Sequence, residues 1–217
     1  AMRVPQPEGT RGSLKWLQRA VARRPDLLGV PALGPVTWLS PLRSDDYAEY
    51  RDAAFLDLLG LGALHPALAD FWPRGGPQWD ALGRAGPAVV LVEAKAHLRE
   101  FMTTPSQAAP PSLRKIRAAF SAIQADLGID PPSDWSRIFY QYANRLAHLW
   151  WLRRQGVEAH LLFVSFLGDD TPGIEGPVRH ETWEAAFALA DHALGLPARH
   201  RLSAFVHHAM PGVDGLR

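Results

Sequence analysis

The stretch 88-AVVLVEAKAH-97 places a glutamate and a lysine, one residue apart, at the end of a run of valines. Side chains along a strand alternate between faces. Val89, Leu91, Glu93 and Lys95 therefore share one side, and Val90, Val92, Ala94 and Ala96 the other. Upstream, 78-QWDALGR-84 is a second short extended candidate, joined to the first through Ala85-Gly86-Pro87. A fold-back at Gly86-Pro87 makes the two a hairpin and sets Asp80 across from Glu93. Two carboxylates on separate strands can hold Mg²⁺ or Mn²⁺ through hard oxygen ligands, with phosphate and water completing the shell. A neighbouring ammonium can orient the attacking water or offset charge in the transition state. Metal-assisted phosphodiester hydrolysis suits such a trio. The plain alternatives are a structural Glu93–Lys95 ion pair and a turn role for Asp80 near Gly83. Against the first stands the desolvation cost of a buried pair, which apolar residues would avoid.

Asp80 followed by Glu93-Ala94-Lys95 resembles the signature of the PD-(D/E)xK superfamily, the restriction-endonuclease-like nucleases. Gln78-Trp79 stands where proline might precede the aspartate. The resemblance implies an α/β fold with a restriction-endonuclease-like mixed β-sheet flanked by helices. It also implies Asp80 and Glu93 as metal ligands for Mg²⁺ or Mn²⁺, and Lys95 as the group that positions water. An acid on an early core helix often joins such a site, and Glu49 is the position that resembles it. In RecB-like branches a Gln or Tyr on a later helix also helps, and Gln141 or Tyr142 could take that part. The expected substrate is DNA, with RNA and a homodimer left open. A catalytically inactive binding module of the same fold is the alternative.

The elements that would carry these residues are legible in outline. Ser13 opens a helix over 13–26 whose apolar face is Leu14, Leu17 and Val21. The stretch 45-DDYAEYRDAAFLDLLG-60, opened by acids and closed by Gly60, reads as a second helix bearing Glu49. A long loop is expected over 98–112, then helices over 112–128 and 134–156, the latter capped by Ser133. A strand over 157–168, a polar loop, a helix over 181–195 and a last strand over 202–210 complete the chain. Residues 1–44 form an N-terminal helical extension and 45–217 the nuclease-like domain, together one compact unit.

Composition bounds the rest. With 217 residues, 47% of them hydrophobic, the chain can bury a substantial core. The absence of cysteine excludes disulfides and thiolate metal sites. No segment approaches a membrane span and no secretory leader is evident, so a soluble, cytoplasmic protein without membrane contact is expected. A net charge of +1 leaves nucleic acid neither favoured nor excluded, since a nuclease needs only a local basic surface. Arg114, Lys115 and Arg117 on one helix, with Arg145, Arg153 and Arg154 on the next, are candidate phosphate contacts on the less apolar faces; a solvated face explains them equally well. His97 shares the Lys95 side but reads as a surface residue, and His148 as a packing residue. The loop 73-PRGGP-77 lacks the lysine and hydroxyl of a nucleotide-binding loop.

Overall fold

The computed structural model describes residues 2–171 and 176–217. The remainder, including 172–175 of the polar loop, lies outside the described residues. Among the described residues seven strands are formed: β1 (Met2–Val4), β2 (Thr37–Ser40), β3 (Glu49–Arg51), β4 (Ala81–Ala85), β5 (Ala88–Lys95), β6 (Ala159–Ser165) and β7 (Val206–Ala209). The helices are α1 (Gly12–Arg23), α2 (Ala53–Leu58), α3 (His65–Phe71), α4 (Leu98–Phe101), α5 (Pro110–Leu127), α6 (Tyr140–Arg154) and α7 (His180–Leu194). Five strands make a mixed sheet in the order β2-β4-β5-β6-β7, antiparallel from β2 to β5 and parallel from β5 to β7. A separate pair joins β1 to β3.

Strand β5 lies in the middle of the sheet, and every residue but Lys95 is buried. Its valine-rich sequence suits a strand covered on both faces. Val89 and Leu91 pack with Leu82, Leu161 and Phe163 beneath α2, α3, α5, α6 and α7. Val90, Val92 and Ala94 pack with Leu162 and Val164 beneath Trp16, Leu17 and Ala20 of α1. Helices thus cover both faces of the sheet. The hairpin forms as expected, with Ala85 opposite Ala88 and Gly86 at φ +58° in the turn, a conformation that favours glycine. Gly83 is needed for a different reason. A β-carbon there would stand 2.7 Å from Val36 Cγ1 and 3.0 Å from the Thr37 carbonyl oxygen, so only a bare backbone lets β2 pair with β4.

Several expectations are corrected. The helix expected over 45–60 does not form as one piece: Asp46, Tyr47 and Asp52 take positive φ, and between them Glu49–Arg51 pairs with β1 as a strand. Only Ala53–Leu58 is helical. Partnership with residues near the start of the chain overrides a helical pattern that was locally plausible. The helix expected from 134 begins at Tyr140, because Asp134 turns its carboxylate back onto the Ser136 amide and Phe139 is left-handed at φ +46°. Ser133 caps nothing; its hydroxyl donates to the Ala193 carbonyl. The 98–112 stretch contains the short α4 and the first turn of α5. Residues 1–44 are also woven into the main body, supplying the edge strand β2 and the helix that covers one face of the sheet.

Candidate functional site

The antiparallel hairpin sets the start of β4 level with the end of β5. Ala81 pairs with Val92, and the Asp80 amide donates to the Val92 carbonyl at 3.2 Å, which places Asp80 beside Glu93. The Asp80 carboxylate closes the hairpin's open end by accepting from the Ala94 amide at 2.7 Å. Glu49 arrives from β3, which is tied to the same run of chain by the Trp79 amide donating to the Tyr50 carbonyl at 3.0 Å. Its carboxylate accepts from the side chains of Gln78 at 2.5 Å and Gln6 at 3.1 Å. Three acids from three segments therefore meet at one end of the sheet, at the carboxyl end of β5.

Cations are distributed unevenly over them. Lys95 donates to one Glu93 oxygen, and Arg145 donates to the other at 2.5 Å. The Glu93 and Arg145 side chains are each only 3% exposed. Arg145 is itself fixed, donating to the Gln78 carbonyl at 3.0 Å and to Asn144 Oδ1 at 2.7 Å, with its guanidinium 5.0 Å from the Trp79 ring centroid. Burial pushes the Glu93 carboxyl up, but Arg145 and Lys95 outweigh that and hold it below its ordinary value. Asp80 has no ion-pair partner among the described residues; burial first, and then the Glu93 charge, raise it well above the usual carboxylate range. Glu49 is raised by burial as well, with Glu93 adding to the shift against the two glutamine amides. Burial draws Lys95 downward, yet Glu93 and Asp80 more than compensate, so its ammonium persists.

Asp80 and Glu49 both line a cavity of about 40 Å³, together with Ser13, Leu14 and Ala94. That space exceeds the roughly 10–15 Å³ that one water needs. Two carboxylates without cation partners beside a small cavity form a donor set that suits a hard divalent ion. Among the described residues, no three His, Asp or Glu side chains already stand as a metal cage. The third acid, Glu93, is turned to its two cations instead.

Asp80, Glu93, Lys95 and Glu49 are thus brought together, although Glu49 sits on a strand and not on the expected helix. Gln141 is not: its amide donates to Thr103 Oγ1 at 3.2 Å, and no contact joins its side chain to the acids among the described residues. One turn further along α6, Arg145 occupies that direction. It was expected on a solvated face as a phosphate contact, and its burial against Glu93 corrects that. Tyr142 donates to Asp191 at 2.7 Å, away from the acids. Lys115 donates to the Ala69 carbonyl at 2.6 Å, and Arg117 pairs with Asp134 at 3.0 Å, while Arg114 is exposed. His97, expected at the surface, is buried and bonded to the buried Asp169 at 2.9 Å. Gln78 was overlooked as a site residue; its place two positions before Asp80 was the available signal. Ser13 and Leu14 were read only as helix residues, and no local pattern marks them as cavity lining.

Comparison of the chain with family models, with curated proteins and with solved structures returned no match. The site is therefore interpreted from its own geometry.

Proposed function

We propose that the chain is a metal-dependent nuclease of restriction-endonuclease-like fold that hydrolyses DNA phosphodiester bonds with Mg²⁺ or Mn²⁺. The observation that carries this reading is the meeting of Asp80, Glu93, Glu49 and Lys95 at one end of the sheet, with Asp80 and Glu49 lacking cations beside a small cavity. Ligands of open α/β sheets favour the crevice beyond the carboxyl ends of the parallel strands, which is where β5 delivers Glu93 and Lys95. Asp80 and Glu49 would hold the metal, with Glu93 completing the acidic set. When bound, the ion offsets charge on the phosphoryl oxygens and lowers the pKa of a coordinated water. Lys95, kept protonated by Glu93 and Asp80, would orient an attacking water and offset negative charge on the scissile phosphate. Arg145 does not reach substrate in this scheme; it fixes the Glu93 carboxylate.

A second reading is a nucleic-acid or protein binding module of the same fold without turnover. It draws on the engagement of both Glu93 oxygens by Lys95 and Arg145. One experiment separates the two: incubate plasmid, single-stranded DNA and RNA with Mn²⁺ beside Lys95→Ala and Asp80→Ala proteins. The enzyme reading expects cleavage that falls at least a hundredfold in both variants. Cleavage indifferent to those substitutions rejects the mechanism, and DNA binding without cleavage favours the module.

A further inference from the structure

A cavity of about 470 Å³ lies outside the acid cluster, and its size is in the range of small-molecule sites. Phe55, Leu68 and Trp72 supply apolar and aromatic wall, and His148 is part of the lining. The His148 side chain is 1% exposed and boxed edge-on by Phe55, Phe71, Trp72 and Trp79, with ring centroids 4.9–6.4 Å away. Its Nδ1 lies 2.8 Å from the Asn144 carbonyl, which can only accept, so the ring proton sits on Nδ1. Burial depresses this imidazole to a pKa of about 3, so it is neutral at physiological pH. Nε2 is then an acceptor, and it takes part in none of the hydrogen bonds among the described residues.

The opposite wall is built with similar care. Asp52 holds φ +52°, ψ −141°, an unfavourable backbone conformation for a residue with a side chain. Its Oδ1 accepts from the amides of Gly75 and Gly76, both at 3.0 Å, which pins the loop 73–77 over the cavity. Among the described residues its Oδ2 accepts nothing. Gly76 leaves open the corner between the two walls: a β-carbon there would stand 3.3 Å from Trp72 Cδ1, 3.5 Å from Asp52 Oδ1 and 3.7 Å from His148 Nε2. That corner brings together two acceptors, His148 Nε2 and the Asp52 carboxylate, flanked by aromatic rings.

We propose that this cavity binds a planar aminopurine base, its exocyclic amine directed into the Gly76 corner between His148 Nε2 and the Asp52 carboxylate. The amine carries one N–H for each acceptor, and stacking on aromatic wall suits the flat ring. A base edge bearing a carbonyl there would set acceptor against acceptor. The base could belong to a free nucleotide or to a nucleic-acid strand, and the site requires no hydrolysis by the acid cluster.

Calorimetry and ¹⁵N NMR of the histidine rings test this in EDTA, where metal-dependent turnover plays no part and failure of the nuclease reading leaves the result intact. The probes are adenosine, purine riboside (the same ring without the amine) and a short single-stranded oligo-dA. Adenosine is expected to bind at millimolar concentration or below and to shift the His148 Nε2 resonance, with purine riboside at least tenfold weaker. Gly76→Ala, whose methyl fills the corner, should weaken adenosine at least tenfold. Should that protein fold poorly, His148→Phe keeps a ring and removes the acceptor, with the same expected loss. Oligo-dA tighter than adenosine assigns the base to a strand, and the reverse order assigns it to a free nucleotide. No adenosine binding, equal binding of purine riboside, or binding untouched by both substitutions overturns the proposal.

Discussion

Two buried polar regions lie a few residues apart along α6, and they handle charge in opposite ways. Around Arg145 the protein gathers five ionisable groups, Glu49, Asp80, Glu93, Lys95 and Arg145, and leaves two acids without cations. Around His148, one turn on, it gathers aromatic rings and keeps the imidazole neutral. The acid cluster sits where strand ends meet, so backbone amides, glutamine side chains and a small cavity can offset the desolvation of charge. The imidazole sits within packed rings, where a positive charge would have little compensation. One region thus crowds its buried polar groups with charge, and the other holds its polar group uncharged.

Substitutions in the two regions should separate these regimes. The largest effect is expected from Arg145→Ala, which leaves Glu93 with Lys95 alone at 3% exposure. Breaking a buried pair in this way costs about 3–5 kcal/mol, read as a fall in the urea midpoint at pH 7. A loss under about 1 kcal/mol would mean that Lys95 by itself neutralises Glu93.

Next comes a gain and not a loss. Asp80 is raised above its ordinary value, so above pH 3.8 the folded protein binds more protons there than the unfolded chain, and stability falls as pH rises. His148 has the opposite sign. Between its folded value of about 3 and its ordinary 6.5 the unfolded chain binds more protons, and stability rises with pH. Asp80→Asn removes the first slope and leaves the second. In EDTA its melting temperature should exceed that of the unsubstituted protein at pH 7 and converge with it near pH 4. Parallel pH curves for the two proteins would sink the assignment of that strain to Asp80.

The smallest effect belongs to the rim of the aromatic region. Asp52→Ala removes two hydrogen bonds to the 73–77 loop at a partly exposed position. Roughly 1–2 kcal/mol of stability should be lost, with hydrogen exchange accelerated at the Gly75 and Gly76 amides. Unchanged exchange would show that the loop is held by packing and not by this carboxylate.

Much of the acid cluster could be read from local pattern. Alternation along 88–97 placed Glu93 and Lys95 on one face, and the turn at Gly86-Pro87 set Asp80 opposite, because the two-residue period leaves little freedom once one face is buried. Glu49 was singled out by an incorrect route. It was taken for a helix acid, while the strand that presents it depends on β1, far away along the chain. Gln141 and Arg145 show the limit of helical pattern reasoning. Both lie on α6, but only contact with β5 and Trp79 decides that the arginine turns inward. The aromatic cavity left no signature in local pattern, since its walls come from three stretches distant along the chain: Asp52, the run from Trp72 to Gly76, and His148.

By itself the sequence determined an α/β chain with a valine-rich strand ending in opposite charges, a hairpin before it and a helix-rich crossover after it. These follow from side-chain periodicity and turn chemistry, which act over a few residues. Only the tertiary structure decided how charge is shared: Arg145 inside and not outside, Glu93 doubly paired, Asp80 and Glu49 left without cations, and His148 neutral with one acceptor free. Desolvation and Coulomb interaction depend on which groups lie within a few ångströms, and that proximity is set by packing between segments distant along the chain.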